Sequence, residues 1–158
     1  MPGVELAPVI ELVPHRDPVL LLERLLDHDG ESTIALVDIG GQSWLKRDDG
    51  SVAAWLAPEY MAQCVAAHEG MLARTENRLL ERGFLIAVLG LELHCREFGP
   101  AERLRVRVGR FRGRAGLGVL SHRCTIHMDA GGRDGRLLAE GRLCVAVPRP
   151  SRSPATAS

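Results

Sequence analysis

No stretch limits the fold of this chain more than Pro58 to Arg82. Met61, Val65, His68, Met71 and Leu72 recur at three- and four-residue steps, with Ala62, Cys64 and Ala66 between them. The first half of this predicted helix is therefore apolar on nearly every side, whereas Arg74, Glu76, Arg78, Glu81 and Arg82 crowd its far end. A helix apolar all round has to be enclosed, and a sheet curled about it is the economical way. Pro58 suits a first turn because its missing N–H loses nothing there, and Glu59 complements the positive end of the helix dipole. Gly83 is the expected stop, as a residue that readily takes positive φ.

The 158 residues fit one domain. The expected boundaries are a flexible arm over 1–8, a folded domain over 9–147, and a disordered tail rich in Pro, Ser and Ala over 148–158. No run approaches the roughly 18 apolar residues of a membrane span, and the opening residues lack the basic-then-apolar order of an export signal, so the cytoplasm is the expected compartment. Twenty basic residues balance twenty acidic ones, which argues against a global field for nucleic acid. Cys64, Cys95, Cys124 and Cys144 fall singly in apolar patterns and read as small buried hydrophobes.

Ahead of the helix, Leu20–Asp29 and Ser32–Gly40 read as two strands turning at Asp29-Gly30-Glu31. Gly40–Ala57 has no clear period and is a long connection carrying Trp44 and Trp55. After the helix, Leu85, Ala87, Leu89, Leu91, Leu93 and Cys95 alternate with Glu92, His94 and Arg96, as a strand with one buried face would. Leu104, Val106 and Val108 alternate with arginines in a strand expected to run to about Arg112. Leu117–Met128 and Leu137–Val147 give two more strands around Ala130–Gly135. Two strands, one long helix, then three or four strands make an α+β chain whose antiparallel sheet wraps the helix.

Pro14-His15-Arg16, Pro18, Leu20-Leu21 and Arg24, followed by Glu59 and by Gln63 one turn on, resemble the hot-dog-fold 3-hydroxyacyl-(acyl carrier protein) dehydratases. Ala54-Trp55 with Glu59–Gln63 is most similar to the dehydratase-like proteins of aryl-polyene pigment synthesis. The resemblance covers about residues 9–147. It implies a hot-dog fold, a 3-hydroxyacyl thioester on the phosphopantetheine of an acyl carrier protein, and no further cofactor. It also implies loss of water to the trans-2-enoyl thioester, as in fatty acid or polyene synthesis, and a dimer with itself or with another hot-dog protein. In that family the helix carboxylate works with a histidine from a Gly-His-Phe-Pro loop. Ser43–Ala57 contains no histidine.

Glu59 is thus the expected general acid, provided its surroundings dry it enough to keep its proton. Outside the resemblance it is a group that complements the helix dipole. His15, pinned between two prolines, is the substitute base or else a staple for its loop. Gln63 shares a face with Glu59 and either orients its carboxyl or satisfies buried backbone. Trp55 and Arg16 complete the expected substrate contacts. His68 lies on another side of the helix and reads as a core histidine. His122, Cys124 and His127 cannot share one strand face, so no metal is expected. Arg103, Arg105, Arg107, Arg110, Arg112 and Arg114 read as a solvated sheet face or as a landing surface for an acidic carrier. Two other readings stay open: an acyl thioesterase, and a catalytically silent subunit that completes a partner's site.

Overall fold

The computed structural model describes residues 4–80, 82–111 and 118–147. In chain order its elements are α1 (Val9–Leu12), β1 (Arg24–His28), β2 (Ser32–Asp38), β3 (Val52–Ala53), a 3-10 turn (Ala54–Leu56), α2 (Ala57–Thr75), β4 (Phe84–Leu93), β5 (Glu97–Phe98), β6 (Arg103–Phe111), β7 (Val119–Asp129) and β8 (Asp134–Ala146). Six strands form one antiparallel sheet in the order β1-β2-β6-β7-β8-β4, and β3 with β5 make a separate small ladder.

The helix lies against the inner face of this sheet, packed on β6, β2, β7 and β8. Met61, Cys64, Ala67 and Met71 are sealed against Ala35, Val37, Leu104, Val106, Val108, Ile126 and Leu143. Complete burial of a side chain such as Met61 contributes about 1.5–3 kcal/mol, so this seam supplies much of the fold's stability. Alternation on β6 sets the register: Leu104, Val106 and Val108 oppose Val37, Ala35 and Thr33 on β2, which turns the intervening arginines outward.

The turns follow their residues. Gly30 takes φ of 86° between β1 and β2, and Asp29 Oδ1 accepts from the Glu31 and Ser32 N–H groups. Gly131 and Gly132, both at positive φ, close the β7–β8 hairpin.

The helix stops at Thr75, one and a half to two turns before the expected Arg82–Gly83 end. Asn77 adopts φ of 49°, its N–H donates to the Arg74 carbonyl, and the Arg78 N–H reaches back to that of Ala73. That is a Schellman closure made with asparagine, which tolerates the left-handed conformation. β1 begins at Arg24, after a tightly turned segment that occupies Pro14–Glu23. Part of the expected flexible arm is seated, with Ala7 buried and Leu6 packed on the core. The expected tail over 148–158 and the turn over 113–116 lie outside the described residues.

β4 departs most from expectation. It pairs only with β8, so one edge is open, and Phe84 (60%), Leu85 (45%) and Ile86 (55%) are exposed rather than buried on one face. Its alternation fits a sheet position, but the sheet ends there in this single chain.

One glycine holds two elements together. A Cβ on Gly70 of α2 would stand 2.8 Å from the Leu12 carbonyl oxygen and 3.1 Å from its Cβ, so its absence lets α1 lie directly on the helix. Alanine is favoured by roughly 1 kcal/mol in an open helix, but here overpacking dominates. Gly70→Ala is expected to destabilise the chain by roughly 1–3 kcal/mol in urea unfolding, with the loss tracked to the docking of α1.

Candidate active site

The site assembles where the Pro14–Glu23 segment crosses the start of α2. Val19 and Leu20 donate to the Arg16 carbonyl, at 2.9 and 3.1 Å, which turns the chain sharply. Leu21 then passes over the helix with no strand partner of its own. Gln63, fully buried, supplies one: its Oε1 accepts from the Leu21 N–H at 2.8 Å, and its Nε2 donates to the Val19 carbonyl at 2.7 Å and to Glu59 Oε1 at 3.0 Å. Of the two ends of the amide only the oxygen can accept from a backbone N–H, so these contacts fix its orientation. Both expected roles of Gln63 therefore coexist in one side chain.

His15 comes to the same place. Its Nε2 lies 3.9 Å from Glu59 Oε1, while its buried Nδ1 has no partner among the described residues. Sequence reasoning missed a second glutamine. Tyr60 donates its hydroxyl to Gln42 Oε1 at 2.9 Å, and Gln42 Nε2 donates to the Leu21 carbonyl at 3.3 Å. Burial pushes the Tyr60 phenol up to about 12, which keeps it a donor. The single tyrosine beside Glu59 was the available signal; Gln42, in an aperiodic loop, gave none. Gln42 also lines a cleft of about 430 Å³ whose wall includes Asp17, Leu20, Leu22 and Asp38.

Other expected residues are placed differently. The Arg16 guanidinium turns back onto the Val13 and His15 carbonyls, at 2.9 and 2.8 Å, and so braces the His15 loop instead of reaching outward. Trp55 stands in the 3-10 turn ahead of α2 and is 67% exposed. Glu59 is not dry in this chain, because 41% of its side chain is accessible. The sheet covers the middle of α2, not the first turn. The arginine row is largely committed to neighbours: Arg103 pairs with Glu23 at 2.9 Å, Arg105 with Asp134 at 2.8 Å, and Arg107 with Asp134 at 3.4 Å. Arg112 and Arg114 lie outside the described residues.

His68 is a core histidine, as expected, and burial lowers its pKa to about 4. Its Nδ1 meets Thr33 Oγ1 at 2.8 Å.

The ApeP-like family, described as ApeP dehydratase, matches residues 7–156. The chain belongs to the ApeP-like dehydratase family. Among solved structures, this ApeP-like chain is similar to one in the dehydratase heterocomplex ApeI:P from Xenorhabdus doucetiae, with 21% identity, 92% and 93% of the two chains covered, and a TM-score of 0.80. It also resembles the HP0420-homologue from Helicobacter felis, at 10% identity, 96% coverage of each chain and a TM-score of 0.64. Thioesterase HI1161 from Haemophilus influenzae aligns at 9% identity, 94% and 95% coverage, and a TM-score of 0.64. These likenesses establish the hot-dog fold. No curated protein matches the sequence. Among the described residues, no helix is long and apolar enough to cross a membrane.

Replacing Gln63 by leucine keeps the volume but orphans the Leu21 N–H and the Val19 carbonyl, a penalty of roughly 1–3 kcal/mol for each group left unpaired. Gln63→Leu is expected to lower the melting temperature and to speed amide exchange at Leu21, which hydrogen exchange measures directly.

Proposed function

We propose that this ApeP-like chain dehydrates 3-hydroxyacyl thioesters carried on the phosphopantetheine of an acyl carrier protein, with Glu59 as general acid and His15 as base. The observation that carries the reading is the meeting of His15, Glu59 and Gln63 at the start of α2. At 3.9 Å the imidazole and the carboxyl are near but not hydrogen-bonded, so each can face a different atom of one substrate. His15 takes the proton beside the thioester carbonyl, electrons shift to form the 2,3 double bond, and the hydroxyl leaves as water with the proton from Glu59. Gln63 already donates to Oε1, so a neutral Glu59 would carry its proton on Oε2, the oxygen free to meet the departing hydroxyl. The turn from 14 to 23, braced by Arg16 and gripped at Leu21 by two glutamines, holds both groups in register.

A general acid needs more shelter than 41% exposure gives, and the apolar edge of β4 is open. One remedy serves both: a second hot-dog chain, of the same or another sequence, pairs along β4 and closes over the first turn of α2. In the heteromeric form this chain contributes acyl-binding surface while a partner brings the loop histidine that Ser43–Ala57 lacks. Docking of the carrier would involve surface beyond the paired arginines.

Glu59→Gln is expected to lower kcat at least about 100-fold while leaving assembly and melting temperature nearly unchanged, because the amide keeps shape but delivers no proton. Assays on 3-hydroxyacyl and saturated acyl thioesters separate the chemistries: thiol released from the saturated one would instead mark a thioesterase. Turnover that appears only on mixing with a second hot-dog chain would assign the base to that partner. Ile86→Glu on β4 is expected to shift the assembly toward single chains in sedimentation velocity and to remove turnover with it.

A further inference from the structure

A second polar cluster lies farther along α2, in the sealed part of the molecule. His68 and His122 are fully buried, with ring centroids 6.0 Å apart and ring planes at 80°. His122 Nε2 lies 3.1 Å from Glu69 Oε1. Each ring keeps one buried nitrogen, His68 Nε2 and His122 Nδ1, with no partner among the described residues. Buried polar nitrogens are almost always satisfied, so an unpartnered His68 nitrogen in a cluster with His122 and Glu69 is a group that a ligand would satisfy.

One ligand atom from each of His68, Glu69 and His122 lies within 4.8 Å of the other two. We propose that His68, Glu69 and His122 form a binding site for a divalent late first-row cation such as Zn²⁺, joining the middle of α2 to β7. Two imidazoles and one carboxylate suit such ions, and a water arriving past Glu69, which is 16% exposed, would complete four-fold coordination. Tetrahedral ligands at about 2.0–2.1 Å from zinc stand ~3.3 Å apart, so the three side chains draw inward on loading. The site lies about 13 Å along the helix from Glu59 and is independent of the dehydration chemistry. Sequence spacing along one strand excluded His122 with Cys124 and His127; a set shared between helix and strand was invisible to that test.

The surroundings define the site further. Thr33 Oγ1 holds His68 at Nδ1 and also contacts His28 Nδ1 at 2.7 Å, which leaves His68 Nε2 directed away from that network. Arg78 and Arg110 approach Glu69 Oε2 at 3.6 and 3.7 Å. Their charges oppose a cation while steadying the carboxylate, so removal of Arg110 should tighten binding.

The test is titration of chelator-treated full-length protein with Co²⁺, read by its visible absorption bands, together with melting in Zn²⁺. The expected result is one ion per chain with tetrahedral band intensity and a raised melting temperature. His68→Asn and His122→Asn should each abolish both signals, Arg110→Gln should strengthen binding several-fold, and Glu59→Gln should leave it unchanged. Absence of bands and of any melting shift at millimolar ion overturns the proposal. So does a signal that survives both histidine substitutions, which would place the ion elsewhere, for example on the group of Glu92, His94 and half-buried Glu140. Should the histidine variants fail to fold, Glu69→Gln decides: a large loss of affinity supports the site, and unchanged affinity refutes it.

Discussion

A segment that crosses a buried helix without joining the sheet must find partners for its backbone, and here Gln63 provides them. Its amide accepts from Leu21 and donates to Val19 and Glu59, so one fully buried side chain fixes the loop, the helix and the candidate acid relative to one another. Gln42 grips the other side of Leu21 and is itself held by Tyr60. Within a low-dielectric interior such linked hydrogen bonds are costly to break singly, which favours one arrangement of the site over many.

The same helix is divided along its length. Its first turn meets the exterior through Glu59, its middle is enclosed by β2, β6, β7 and β8, and its end is closed by Asn77. The proposed acid–base pair lies at the open end. The enclosed middle carries His68 opposite His122 of β7, where a bound ion would staple the helix to the sheet. The open β4 edge and the partly exposed Glu59 carboxyl are the two features that the proposed association would cover.

Much of this was legible in the residues. Alternation in Leu104–Val108 fixed β6 and its facing, the Asp29-Gly30 and Gly131-Gly132 turns were placed correctly, and the apolar periodicity from Met61 to Leu72 announced the enclosed helix. The four-residue spacing of Glu59 and Gln63 predicted their contact. Arg16 was expected as a substrate contact, and its guanidinium donates instead to nearby carbonyls of its own tight turn, which its charge alone did not foretell. The arginine row was ambiguous because its acids, Glu23 and Asp134, lie far away in sequence and meet it only across strands.

By itself, then, the sequence determined the enclosed helix and the main strands, the inward face of β6 and the residues able to perform acid–base work, because those follow from local spacing and conformational preference. Only the tertiary structure decided that His15 reaches Glu59, that Gln42 and Tyr60 support the same loop, that His68 and Glu69 meet His122, and that β4 is left bare. Such contacts join residues distant in sequence, and no local preference encodes the path by which a chain brings them together.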